Sequence, residues 1–451
     1  MAHTIATRET TTAVPFAIGG LLALAIAMGI GRFAFTPLLP LMQADVGLTV
    51  KEGSWLASAN YAGYLVGALV ASRLRVAPLH AILGSLLIIA LTTLAMGVTH
   101  EFVEWAVWRA IAGIASAFVL VHVSAWSVQR FATLQRPKLG GIVFAGVGIG
   151  IAAAGLLCLA LVGIGTTAAQ LWSILGCLSG VALLVSVPLL LAAGTSAAGL
   201  DAPSDATAKR TSFTRDEWRL ILCYSAFGLG YIIPATFLPV MAREVIKDPA
   251  LFGWAWPLFG TAGTIATLVA ARVGSPARAR SSWAISHFVM AGGCAVAALV
   301  HDFAAVLIAA LAVGGTFMVL TMYAVQEARR VAGSRARPLI GAMTAAFALG
   351  QIVGPLLVQS PAGAATQFGM PLLLATAVLV ASGAALLLDS RTSALLSGWL
   401  RAWREPPRDF GRNTRPYGER RATSERFRTW ASIRQTSTRA KPAASRGGST
   451  V

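Results

Sequence analysis

Two stretches of this chain are near-copies of each other, 199 positions apart. Gly29-Ile-Gly-Arg-Phe-Ala-Phe-Thr-Pro-Leu-Leu-Pro-Leu-Met42 and Gly228-Leu-Gly-Tyr-Ile-Ile-Pro-Ala-Thr-Phe-Leu-Pro-Val-Met241 share both leading glycines and the closing Leu-Pro-aliphatic-Met. The agreement extends to Trp55 with Trp254 and to Leu69-Val-Ala-Ser-Arg73 with Leu268-Val-Ala-Ala-Arg272. At an offset of 200, Phe118-Val-Leu120 matches Met318-Val-Leu320, and Leu139, Gly141, Ala145 and Gly150 match Leu339, Gly341, Ala345 and Gly350. Glycines and prolines agree as well as the aliphatics, which apolar composition alone does not produce. A chain written this way folds as two related halves.

The halves belong in a membrane. Apolar residues make up 56% of the chain and charged residues 12%, where a soluble domain carries roughly 25% charge. Mean hydropathy is +0.71. Apolar runs of about 20 residues follow one another, each long enough to cross the hydrocarbon as a helix. Because the runs are continuous, the spanning structure is helical and not a barrel. Twelve spans are predicted near residues 14–42, 52–72, 77–98, 102–127, 139–163, 167–193, 217–242, 250–271, 282–300, 303–326, 338–360 and 368–389. The fold class is therefore all-α and polytopic, with two pseudo-symmetric six-helix halves over 14–193 and 217–390. A pseudo-twofold along the membrane normal relates such parallel repeats.

Charge sets the orientation. Outside the spans and before residue 391, every Lys and Arg except Lys51, Arg243 and Lys247 falls on the side of the N-terminus. The positive-inside rule thus places both termini in the cytoplasm. The first run is too long for a cleaved signal peptide and is expected to stay as an anchor. Residues 1–13 read as a polar, disordered cytoplasmic segment, and 194–216 as a flexible cytoplasmic loop between halves. The tail, 391–451, holds 14 Lys/Arg and four acids, +10 of the net +18. It opens with an amphipathic stretch, Leu395 to Arg404, suited to the membrane interface. Attraction to anionic lipids explains such a tail. Its scattered aromatics, Phe410, Tyr417, Phe427 and Trp430, do not make a nucleic-acid stacking platform.

Two charges lie inside predicted spans: Arg32 and Arg109. A charge at membrane depth is shielded in the bundle interior or a water-filled cavity, and it marks function by default. Arg32 shares a helical stripe with Gly29 and Thr36, and Arg109 shares one with Gly113, Ser116 and Leu120. None of the 18 acidic residues falls in mid-span; Glu101, Glu104, Glu244 and Glu327 lie at ends. Buried arginines without a carboxylate favour an anionic solute, held through bidentate contacts. For Arg109 the competing reading is a folding element bonded to backbone carbonyls. Weaker polar candidates are Asn60, Tyr61 and Tyr64 on the second span and Tyr231, opposite Arg32, on the seventh. Thr316, Tyr323 and Gln326 follow on the tenth and Gln351 on the eleventh. His122 and His287 are titratable but read better as satisfied histidines between helices. Cys158, Cys177, Cys223 and Cys294 lack metal-ligand spacing and read as small buried hydrophobes. No metal, cofactor or ATP-binding motif is expected, and the clustered nucleophiles or carboxylates of an enzyme are missing.

The Gly29–Met42 stretch resembles the YbfB/YjiJ-like branch of the major facilitator superfamily, over roughly residues 14–389. The superfamily's loop motif between spans two and three is degraded here: Gly67, Arg73 and Arg75 remain, but Ser72 stands at the aspartate position, which implies a weakened charge lock. The fourth-span motif is better kept, as Arg109-Ala-Ile-Ala-Gly113. The resemblance implies a secondary transporter of the inner membrane working by alternating access, with spans one and four facing the cavity. Read with the residues, it gives a transporter of a small organic anion bound by Arg32, Thr36, Asn60, Tyr64, Arg109, Ser116, Tyr231, Tyr323 and Gln351, with proton coupling left open. The alternatives are an exporter of apolar or drug-like compounds, or a membrane sensor that transports nothing.

Overall fold

A computed structural model describes residues 2–191 and 212–388, apart from 72, 75, 137, 247, 249, 250, 252 and 359–363. The positions of Ser72 and Arg75, most of the central loop and all of the basic tail lie outside these residues.

Among the described residues the chain is helical from end to end. The first rod is broken: α1 (Ala2–Leu24) passes into a π-helical turn (Ala25–Ile30) and then, past residue 34, into α2 (Phe35–Val46). The rest of the N-terminal half is α3 (Val50–Ala71), α4 (Pro78–Val98), α5 (Phe102–Thr133), α6 (Leu139–Val162) and α7 (Ala168–Leu191). The C-terminal half runs α8 (Arg215–Val245), α9 (Ala255–Val273), α10 (Ala279–Leu299), α11 (Phe303–Ala332), α12 (Ala336–Leu356) and α13 (Ala364–Leu387). Ten of these rods are long and apolar enough to cross a membrane. The other two, α3 and α9, interrupt their apolar runs with Asn60 and the tyrosines, and with threonines and glycines. Residues 1–13, expected to be disordered, continue α1 as helix from Ala2. They contain neither glycine nor proline, so nothing breaks the helix before Pro15.

Helix packing repeats with the sequence. In the N-terminal half α3 packs on α5, α4 on α7 and α5, and α1 on α6, α7 and α5. Shifted by one half, α9 packs on α11, α10 on α13 and α11, and α8 on α12, α13 and α11. Each contact has its counterpart, as a twofold requires. Between the halves α6 meets α9, α3 meets α12, and α2 meets α8.

The duplicated glycines sit at the duplicated contacts. A Cβ on Gly29 would lie 2.4 Å from the backbone of Gly150, and one on Gly228 would lie 2.2 Å from the carbonyl oxygen of Phe347. Without a lipid-excluding hydrophobic drive between helices, such close backbone approach is what holds membrane helices together. Gly141 also packs between halves, against Ala271, but its repeat partner Gly341 has open space beside it.

At the end of the bundle that carries the basic loops, the C-terminal half is tied by ion pairs, two of whose carboxylates, Glu217 and Glu327, are buried. Thr214 and Glu217 form a reciprocal cap that starts α8. Arg280 on α10 donates to Asp216 on α8 (2.6 Å) and to Glu327 on α11 (2.6 Å). Glu327, fully buried, also takes two hydrogen bonds from Arg330. Arg219 pairs with Asp216, and Arg335 with Glu217. The weakened lock expected from Ser72 concerns the other half; here three helices share one.

Candidate functional site

The break in the first rod creates the site, and proline creates the break. Pro37 has no N–H to give the carbonyl of Phe33, which accepts from Thr36 N instead (3.2 Å). The Arg32 carbonyl, four residues before Thr36, is thereby released from the helix ladder. One turn earlier the ladder slips to i−5 spacing, with Gly31 N on Ile26 O (2.9 Å) and Phe33 N on Met28 O (3.1 Å).

Arg109 on α5 repairs the gap. Its Nη1 donates to the Gly31 carbonyl (3.2 Å) and its Nη2 to the Arg32 carbonyl (2.9 Å), while its Cζ lies 4.8 Å from the Phe35 ring centre. Asn60 on α3 supports both helices, donating to Gly31 O (3.4 Å) and Arg109 O (2.8 Å). Gly113 lets α3 come that close, since a Cβ there would lie 2.0 Å from the Asn60 carbonyl oxygen. Ser116, one turn on, donates to Ala27 O in the π turn (2.7 Å). Arg109, Asn60 and Ser116 thus brace a broken helix, satisfying carbonyls that lipid cannot.

Arg32 is placed differently. Its side chain is 2% exposed and sits in an aromatic box, with Cζ 4.1 Å from the Tyr64 ring centre and 5.2 Å from those of Tyr61 and Phe33. Ring faces attract the cation, yet Nε and Nη2 have no hydrogen-bond partner. Among the described residues no carboxylate pairs with Arg32 or Arg109. An unpaired buried charge is costly unless something arrives to pair it.

The C-terminal half faces this box with an aromatic layer. Tyr231, the repeat position opposite Arg32, lies nearly parallel to Phe317 (6.1 Å) and Phe347 (5.6 Å). Phe317 continues to Phe259 (5.3 Å) and Phe259 to Trp256 (4.8 Å). Phe33 touches this layer from the other half, 6.3 Å from both Trp256 and Phe317. Gln351 donates to the Tyr231 hydroxyl, and its buried Oε1 has no partner. Hydrogen bonds cross between halves just beyond: Thr36 to Ala235 O (2.8 Å), Tyr61 with Thr236 (3.0 Å), Ser58 to Ile352 O (3.1 Å), and Arg243 to Pro40 O. A small cavity bordered by Pro37, Leu41, Cys158, Pro239 and Trp256 lies at that end.

Of the residues singled out from the sequence, Arg32, Tyr61, Tyr64, Tyr231 and Gln351 therefore gather at the centre. Thr36 serves as a tie between halves. Tyr323 lies elsewhere, its hydroxyl against Gly274 where the basic loops are, and Gln326 follows it on the same helix. Thr316 bonds its own helix at Ala312 O. His122 contacts Phe118 O (2.8 Å) and stacks on that ring, and His287 lies between Trp283 O and the Ser382 hydroxyl. Cys158, Cys223 and Cys294 are buried, whereas Cys177 is exposed. The layer of Phe33, Trp256, Phe259, Phe317 and Phe347 was not picked out from the sequence. Its one signal there was Tyr231, facing Arg32 across the repeat.

Two six-helix halves joined around a central, buried and unpaired cation define a transporter of the major facilitator class. A family model described as uncharacterised MFS-type transporter YbfB matches residues 24–387. The chain belongs to this family. No curated protein matches it.

Proposed function

We propose that the protein moves a small organic anion across the inner membrane by alternating access, with Arg32 as the anion's anchor. The observation that carries this is the Nε/Nη2 edge of Arg32, buried and without a hydrogen-bond partner. That edge is one of the guanidinium's two-donor forks, spaced for the two oxygens of a carboxylate or phosphate. Tyr64, Tyr231 and Gln351 shape the site around it. Arg109, Asn60, Ser116 and Thr36 position the backbone that bears Arg32. Both termini lie in the cytoplasm, where the basic tail rests on anionic lipids.

The test is thermal stabilisation of the purified protein by carboxylates and phosphates, beside Arg32→Gln. Stabilisation of the parent alone is expected. Equal stabilisation of both proteins, or none in either, overturns the reading. The aromatic layer favours a second reading, export of apolar compounds. Stabilisation by uncharged apolar compounds, equal in parent and variant, would establish it.

A further inference from the structure

The two sides of this site ask for different things from one molecule. On one side stands the two-donor edge of Arg32. On the other stands Gln351, fully buried, whose amide nitrogen is committed to Tyr231 and whose Oε1 accepts nothing. Arg32 Cζ is 5.2 Å from the Phe33 ring centre, Phe33 is 6.3 Å from Phe317, and Phe317 is 6.1 Å from Tyr231, the partner of Gln351. A run of ring contacts connects the donor edge with the lone acceptor.

Phe33 is the loosest member of that set. Its centroid distances to Trp256 and Phe317 lie near the outer limit of ring–ring contact, about 7 Å, whereas Trp256–Phe259 and Phe259–Phe317 are closer. It also belongs to the N-terminal half while the others belong to the C-terminal half. A parting of the halves, as alternating access requires, would take Phe33 away with Arg32 and uncover Trp256 and Phe317.

Resting on the anion reading above, we propose that the substrate is an aromatic carboxylate with a hydrogen-bond donor on the far side of its ring. The carboxylate binds the Nε/Nη2 edge of Arg32. The ring takes the contacts that Phe33 makes with Trp256 and Phe317. The donor, a phenolic hydroxyl or an amine, reaches Gln351 Oε1. Gln351 is then a specificity-determining residue, because a buried acceptor left unpaired rejects an analogue lacking the donor.

The experiment measures equilibrium binding of acetate, cyclohexylacetate, phenylacetate and its 3- and 4-hydroxy derivatives to the purified full-length protein. Gln351→Leu and Arg32→Gln run in parallel. Phenylacetate should bind about tenfold tighter than cyclohexylacetate, from ring–ring contact beyond area burial. One hydroxy isomer should bind about tenfold tighter again. Gln351→Leu should abolish that last step, read as the ratio of hydroxy-isomer to phenylacetate affinity within each protein, because the variant has no acceptor left to reward the hydroxyl. Equal binding of phenylacetate and cyclohexylacetate overturns the aromatic class while sparing the anion reading. A hydroxyl advantage that is missing in the parent, or that persists in Gln351→Leu, overturns the role of Gln351. Binding of carboxylates that is unchanged in Arg32→Gln overturns the anion reading itself.

Discussion

Removing the Arg109 guanidinium leaves the Arg32 carbonyl without its donor and the Gly31 carbonyl with only the longer bond from Asn60, in a place where neither water nor lipid replaces the loss. Each such loss costs roughly 1–3 kcal/mol. Arg109→Leu is therefore expected to lower the melting temperature in detergent and the yield of folded protein. Arg32→Gln should lower both less, because Arg32 Nε and Nη2 hold no protein partner to orphan and only the Tyr64 hydroxyl and the surrounding rings lose a contact. A pair of thermal melts decides this, and a larger loss at Arg32 would reverse the two roles. Both arginines were legible in the sequence as charges inside apolar runs. Bonding to carbonyls stood as one of two readings of Arg109; choosing it needed the structure, because it depends on Pro37 rerouting one carbonyl and so giving Arg109 something to hold. The lack of mid-span acids in the sequence goes with the lack of a carboxylate partner for either arginine among the described residues. It said nothing of the rings that surround one of them.

Helix contacts make the repeat a physical statement. Gly29→Ala and Gly228→Ala each drive a methyl into backbone of the facing helix, Gly150 in one half and Phe347 in the other. Overpacking of this kind costs about 1–3 kcal/mol, so both variants should melt lower than the parent. Gly84→Ala, with nothing within 4 Å of the added carbon, should not. Glu327→Gln is the matching test for the charged cluster. It removes the carboxylate charge that Arg280 and Arg330 share, and breaking a buried pair costs roughly 3–5 kcal/mol. Since Arg280 and Arg330 retain some solvent contact, the loss should fall below that range but remain measurable as a lower melting temperature. Spans and their order were readable because apolar runs of bilayer length have few alternatives. The charged cluster was missed because Asp216, Arg280 and Glu327 stand on three helices and each, taken alone, looks like an ordinary helix-end charge.

On the scale of the molecule, the central question is what moves. Cysteines at 36 and 235, placed in a background lacking Cys158, Cys177, Cys223 and Cys294, would lie close together across the halves, where Thr36 now bonds the Ala235 carbonyl. Cross-linking them should abolish transport, and reduction should restore it. Undiminished flux in the cross-linked protein would show that this end never opens. Deleting the chain beyond residue 390 should leave transport unchanged in correctly inserted protein, measured as uptake into proteoliposomes. The duplicated architecture was legible from the 199-residue offset, since glycine and proline record contacts that aliphatic residues do not.

The ties from Thr36, Ser58, Tyr61 and Arg243 gather toward the end of the bundle that also carries Lys51. Each contributes on the order of 1 kcal/mol, so conformers opened at that end are a minority of the population. A solute arriving there finds a competent binding surface only in that minority, and its apparent affinity is reduced by the same fraction. A solute arriving at the opposite face does not depend on breaking these four bonds. Half-saturation concentrations taken from the two sides of the bilayer should therefore differ, although one set of side chains binds the solute from both.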